Sequence, residues 1–353
     1  MLLENIVNSY MTLFSLSSFL IFLAVYKISS KYFKKLYDLD FSKPQAFHIE
    51  PIPRIGGLAL ICSFIILVFS FQYLFNENQS KYFFITILIF SLGFLDDLKF
   101  KIEPNIRLIL MILIFSICIF YFNIKIEKTG LAFLNNWLEN TIFNLIFVLV
   151  CFLFVVNGSN FVDGFNGLLS IHSFILISFL TLIVSNISDL NLYIFFTGQL
   201  FLIFVFTLFN FPKAKIFLGD SGSYFLGTII SLNVINVSQI TPNISPFFYC
   251  SLLFYLFFEV FFSFIRKALR KKSPLKPDSE HLHMLIYKNF YLKKNKYANP
   301  ITSIVINFFY FILIVPAFIF RENAIFSRYW FFMLLITYLI SYLFIKKISK
   351  DQT

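Results

Sequence analysis

Asp96 and Asp97 stand side by side in LGFLDDLKF, at the end of an apolar run. Adjacent carboxylates at a helix end repel each other, and a cation or a shared proton relieves that repulsion. Such a pair can lie beside a metal, with one member acting as base or nucleophile. The plainer alternative is a charged helix end facing water. A third carboxylate, Asp220, lies in KIFLGDSGSYFLG. GDSGS is expected to open a helix, with Asp220 and Ser221 suited to the cap, and a helix N-terminus favours phosphate. The plainer alternative there is a simple cap. Mg2+ takes oxygen ligands, usually one or two carboxylates with phosphates and waters, so Asp220, Asn160 and a diphosphate would suit it.

Asn160 belongs to NGSNFVDGFNGL, where Asn157, Asn160, Asp163 and Asn166 recur at every third position among Gly158, Gly164 and Gly167. On a helix a three-residue step turns about 300°, so neighbours share a face but the first and last do not. A short loop entering the next helix is therefore expected rather than a continuous polar helix. The glycines permit close backbone approach to a ligand, and carboxamides both donate and accept hydrogen bonds, as a uracil edge requires. His281 and His283 lie in PDSEHLHMLIYK, within the most basic loop. No third ligand at metal spacing accompanies them, so phosphate contact through N–H donors is expected, against plain exposed loop histidines. His48 and Arg54 lie in HIEPIPRIGG. Glu259 and His172 sit alone inside expected spans; each is expected to bond to a neighbouring helix, and neither is placed in the site.

The elements carrying these residues are set by composition. Of 353 residues 59% are hydrophobic and 13% charged, with a mean hydropathy of +0.81, against about 25% charged in a soluble domain. An all-α integral membrane protein is expected, one polytopic domain over residues 1–353. Apolar runs of spanning length fall at roughly 8–27, 55–75, 82–95, 106–124, 141–157, 166–185, 191–210, 221–240, 244–265, 301–319 and 326–345. That makes about eleven transmembrane helices, the third with the least secure boundary. Met1 to Leu20 lacks the basic n-region of a signal peptide.

Alternate loops, with the C-terminal tail, hold 24 of the 29 Lys and Arg residues, ten of them between the ninth and tenth spans. The basic side faces the cytoplasm, so the N-terminus is expected outside and the C-terminus in the cytoplasm. All five polar loops then share the cytoplasmic face. The net charge of +11 reads as contact with anionic membrane lipids; no basic soluble domain exists for nucleic acid. Cys62, Cys118, Cys151 and Cys250 lie singly in expected spans and are read as buried small residues.

PIPRIGG, LGFLDD, NFVDGFNGL, FLGDSGSYFLG and SPLKPDSEHLH, in this order and at these separations, resemble the polyprenyl-phosphate N-acetylhexosamine-1-phosphate transferase family, which includes the WecA-like enzymes and the MraY translocases. The resemblance runs from about residue 44 to 290. It implies that Asp96 and Asp97 lie near the reacting phosphates, and that Asn160 and Asp163 lie near metal and nucleotide. It makes Asp220 a ligand of Mg2+, or of Mn2+ in its place, and His281 and His283 contacts of the sugar-nucleotide phosphates. His48 and Arg54 fall in the family's first cytoplasmic motif. Asn166 stands where bacterial members commonly carry Asp; eukaryotic relatives carry Asn there, near the uracil. The HLHMLIY loop looks like the WecA branch.

The activity so implied moves an N-acetylhexosamine 1-phosphate from a UDP-sugar to undecaprenyl phosphate at the bacterial inner membrane. The chain is expected to act alone or as a homodimer. Basic residues of 266–300 would help hold donor phosphates. The alternatives are a phospho-MurNAc-pentapeptide translocase and, in a different class, a transporter. Transporters place their sites near the midplane and often carry repeats, and this sequence shows no repeat.

Overall fold

The computed structural model describes residues 2–32, 36–38, 51–100, 102–187, 189–271, 273, 279–292, 295 and 297–351. Each expected span falls on a helix: α1 (Leu2–Tyr32), α2 (Gly56–Phe75), α3 (Ser80–Asp97), α4 (Pro104–Tyr121), α6 (Thr141–Val162), α7 (Leu168–Ile187), α8 (Leu190–Asn210), α9 (Gly219–Ile240), α13 (Ala298–Ile319), α14 (Ala324–Asp351), and a pair, α10 (Pro246–Leu252) with α11 (Phe254–Leu269). Among the described residues eight helices are long and apolar enough to cross a membrane, nine if the bent pair is one span. The chain is an all-α polytopic membrane protein.

Three local expectations are corrected. The ninth span is not straight: α10 and α11 meet at 73°, because α11 concentrates Glu259, Ser263, Arg266 and Lys267 on one buried face that must turn toward other polar groups. The 266–300 segment is not all loop. Leu282–Leu292 forms α12, whose Leu282, Met284 and Leu285 are buried. A short helix, α5 (Ala132–Leu138), and two antiparallel two-residue strands, β1 (Tyr37–Asp38) and β2 (Ile52–Pro53), complete the elements. Of the four cysteines only Cys118 is buried, and Cys250 is exposed on α10.

α9 lies at the centre, packed against α2, α3, α6 and α7. With no hydrophobic force between helices in lipid, close packing and interhelical hydrogen bonds hold them together. Both occur here. Tyr82 donates to Asn233 Oδ1 at 2.9 Å, and Asn233 Nδ2 donates to Gln199 Oε1 at 2.6 Å, tying α3, α9 and α8. Near the end of α3, Gly93 lets the two backbones touch: a Cβ there would lie 2.7 Å from the Asp220 carbonyl and from Ser221 Cα. Neither is a side-chain end that could swing aside.

Glycine inside a helix normally costs about 1 kcal/mol relative to alanine. At position 93 the sign should reverse. Gly93→Ala is expected to destabilise by about 1–3 kcal/mol through overpacking, seen as a lower midpoint of thermal unfolding in detergent. An unchanged or raised midpoint would show that the contact yields.

Candidate active site

The first turn of α9 sets the site. Gly219 has φ of +77°, a conformation glycine adopts without penalty, and the Asp97 carboxylate sits where its Cβ would be. Asp97 accepts hydrogen bonds from the Asp220 N–H at 3.0 Å, the Ser221 N–H at 2.9 Å and the Ser221 hydroxyl at 2.6 Å. The carboxylate at the end of α3 is thus the cap of α9. This corrects two expectations. Asp220 and Ser221 are not the cap residues, and these two amides are engaged by protein rather than turned toward a phosphate.

Two guanidiniums organise the remaining acids. Arg54, just before α2, lies 3.6 Å from Asp97 Oδ1, 3.6 Å from Asp220 Oδ1 and 3.7 Å from Asp38 Oδ2. Its backbone N–H donates to the Leu36 carbonyl at 2.9 Å. Burial opposes its charge, but Asp220, Asp97, Asp38 and Asp163 outweigh burial and hold the Arg54 pKa above its ordinary value. Arg107, in the first turn of α4, bridges Asp96 and Asp220, donating to Asp96 Oδ2 and, at 3.2 Å, to Asp220 Oδ2. It also lies 5.7 Å over the Tyr224 ring. The sequence reading missed Arg107, having counted it only as a basic loop residue.

The polar stretch does not form the loop expected of it. α6 continues through Val162, and only the residues after it turn. Asn157 and Ser159 bond back to the carbonyls of Leu153 and Val155, four residues earlier, so their polarity is met within the helix. Gly158 packs on the backbone of Leu256; its small size serves the crossing of α6 and α11 rather than a ligand. Asn160 lies 3.4 Å from both the Tyr224 and the Ser223 hydroxyls, close to Asp220. Asp163 caps the C-terminus of α6. Burial pushes its carboxyl up to about 7, with Arg54 opposing and Asp220 and Asp97 adding to the rise. Asn166 is tied elsewhere. Its N–H donates to Asn299 Oδ1 at 2.8 Å and its Nδ2 to the Pro212 carbonyl at 3.0 Å.

His281 and His283 are buried, 2% and 0% exposed, not displayed on a loop surface. Their rings stack 5.3 Å apart and pack beside Phe161 and Phe165 at the end of α6. Glu259, left out of the site on sequence grounds, holds them: His281 Nδ1 lies 2.9 Å from its Oε2, and the Leu282 N–H donates to its Oε1. Tyr338 of α14 donates to the same carboxylate at 2.9 Å, and the Tyr255 hydroxyl lies 3.2 Å from His283 Nδ1. A lone acid inside an apolar run was the available signal; its partners, 22 and 79 residues away, were not. His172 lies apart, packed between Tyr255 and Tyr310. His48 lies outside the described residues.

Arg54, Asp96, Asp97, Asn160, Asp163 and Asp220 thus meet at one end of the bundle, with the histidine pair adjoining across the end of α6. The arrangement separates the two neighbouring aspartates. Asp97→Asn is expected to lower stability by about 1–2 kcal/mol, the loss of a cap and of a charged acceptor. Asp96→Asn, whose side chain is 18% exposed, should change stability by about 0.5 kcal/mol or less. Thermal unfolding of both variants decides; equal losses would contradict the distinction.

A profile of glycosyl transferase family 4 matches residues 80–238, the segment from α3 through most of α9 that carries Asp96, Asp97, Asp163 and Asp220. The chain is similar to the undecaprenyl-phosphate alpha-N-acetylglucosaminyl 1-phosphate transferase of Thermotoga maritima, 29% identical over 72% of this chain and 75% of that protein. It is also similar to a Bacillus subtilis protein named a probable undecaprenyl-phosphate N-acetylglucosaminyl 1-phosphate transferase, 25% identical over 70% and 69%. The phospho-N-acetylmuramoyl-pentapeptide-transferase of Bacillus subtilis matches at 29% over 63% and 73%. The chain is thus a polytopic membrane protein that is similar, from α3 through most of α9, to glycosyl transferase family 4.

Proposed function

We propose that the protein transfers N-acetylglucosamine 1-phosphate from its UDP-linked form to undecaprenyl phosphate, releasing UMP. The names of the Thermotoga maritima and Bacillus subtilis relatives support the acceptor and the sugar phosphate. The observation that carries the chemistry is the Asp96–Arg107–Asp220 array beside Asn160. The asymmetry of basic loops supports a cytoplasmic orientation of this end, where a soluble nucleotide-sugar and a lipid phosphate can meet at the inner-membrane surface.

Five carboxylates, Asp38, Asp96, Asp97, Asp163 and Asp220, face two guanidiniums here, an excess of negative charge that suits a divalent cation. Among the described residues no three His, Cys, Asp or Glu side chains are gathered around one metal position. Mg2+ does not require three, since it commonly takes one or two carboxylates with phosphates and waters. Asp220 and Asn160 fit that need, and Ser223 links them, its hydroxyl 3.1 Å from the Asp220 carbonyl and 3.4 Å from Asn160 Oδ1. Mg2+ bound there would offset the charge of the donor diphosphate and of departing UMP.

Asp97 is a positioning residue, committed to α9. Asp96 is the member of the pair open to the acceptor and takes the proton of the lipid phosphate. The acceptor oxygen then bonds to the phosphorus that carries the sugar. The bond from that phosphorus to UMP breaks, and its electron pair leaves on the UMP oxygen. Arg54 and Arg107 hold phosphate oxygens during the exchange. His281 and His283, oriented by Glu259, act on the donor side with Asp163; Asn166, its Nδ2 held by the Pro212 carbonyl, would offer its Oδ1 to the uracil N–H.

Purified protein with undecaprenyl phosphate, Mg2+ and UDP-GlcNAc should release UMP; no UMP from any UDP-N-acetylhexosamine would end this reading. The similarity to the pentapeptide transferase gives a second reading, and UDP-MurNAc-pentapeptide outcompeting UDP-GlcNAc as donor would favour it. Asp220→Asn should raise the Mg2+ concentration for half-maximal rate by about tenfold or more, the loss of at least 1.4 kcal/mol of binding. An unchanged Mg2+ titration removes Asp220 as a ligand. Glu259→Gln should leave that titration in place while raising the donor KM, by about tenfold if the histidines lose their orientation. An unchanged donor KM would make Glu259 purely structural.

A further inference from the structure

A cavity opens between α11 and α14, lined by residues of these two helices and of the turn that follows α11. It encloses about 550 Å3 and is lined by Arg266, Arg270, Lys346 and Lys347 with apolar side chains of both helices. Three observations set it apart from the general basic character of this end. First, four cations converge on one concavity, and the acid among them is Glu280, paired with Arg270 at 2.5 Å and Lys346 at 2.6 Å. These cations outweigh burial and hold the Glu280 carboxyl down to about 2, so it stays ionised, yet positive charge remains in excess by three.

Second, the innermost cation is pre-set. Arg266 is 7% exposed. It donates to the Glu280 carbonyl, to the Tyr342 hydroxyl at 3.1 Å and to Ser263 at 3.3 Å, and its guanidinium lies over the Phe262 and Tyr342 rings. These bonds hold Arg266 beside Tyr342 of α14. Third, the walls are amphipathic. Leu269 is 81% and Leu343 65% exposed, which in water would be costly but in a bilayer faces acyl chains. Lys347 is exposed beside them.

We propose that this cavity binds the headgroup of an anionic phospholipid, independently of the transfer reaction. The phosphate would meet Arg270 and Lys347 at the rim while the acyl chains lie along Leu269 and Leu343. Basic residues at a membrane surface draw anionic headgroups at about 1 kcal/mol each, and a preorganised cavity concentrates that attraction at one place.

The test titrates full-length protein, purified in neutral detergent, with dioctanoylphosphatidylglycerol and follows the thermal unfolding midpoint. The midpoint should rise with this lipid, and not with dioctanoylphosphatidylcholine or inorganic phosphate. Arg270→Gln and Lys347→Gln should each weaken the response about fivefold in lipid concentration. The Lys215→Gln/Lys288→Gln double variant, which removes two charges elsewhere at this end, should respond as the parent does. An equal response to phosphatidylcholine or to phosphate alone overturns the proposal, as does an equal loss in the control variant. If the cavity variants instead raise the KM for undecaprenyl phosphate and keep the phosphatidylglycerol response, the cavity serves the acceptor and the proposal fails.

Discussion

The Asp97 carboxylate, lodged on the first turn of α9, is the contact on which the site depends. Its two oxygens take the Asp220 and Ser221 amides and the Ser221 hydroxyl, so the end of α3 and the start of α9 are fixed to each other through one side chain. Gly93, one turn earlier, lacks the Cβ that would meet the Asp220 and Ser221 backbone at 2.7 Å. The location of Asp220 follows from this docking, because its own N–H is one of the donors. A carboxylate at a helix N-terminus is also favoured by the helix dipole, which offsets part of the cost of enclosing it.

The charges around this contact are divided by geometry rather than by residue type. Arg54 comes from a strand end, Arg107 from the opening of α4, and they reach the same Asp220 from two sides. Asp96 and Asp97 differ by one position, about 100° around a helix. That rotation sends one into the protein interior and leaves the other at the edge beside Arg107. Neighbouring identical residues thereby take separate places, one binding α3 to α9 and the other paired with Arg107 at the edge of the site.

Much of this was legible from sequence, and the failures have physical causes. Spans of nearly uniform apolarity give positions by length alone, which is why their placement agrees with the helices. Asp96, Asp163 and Asp220 stood out because each is a charge set in grease. Asp97's capping role did not, since it depends on a partner 123 residues away. NGSNFVDGFNGL misled because Asn157 and Ser159 satisfy themselves on their own helix, so polarity there did not mean a loop. Arg107 was missed among the topology charges, and Glu259 was set aside as a lone buried acid. Only the folded neighbours give either a role.

The break between α10 and α11 has a mechanical meaning. α11 is a 16-residue helix set at 73° to α10, with the break at Leu253. Along its length it carries Leu256 against α6, Glu259 beneath the histidines, and Arg266 beside α14. A tilt of a few degrees at such a break displaces the far end of a 16-residue helix more than its near end. Leu269, 81% exposed at the far end, therefore stands with the longest lever arm on the same helix whose Glu259 holds the imidazole rings.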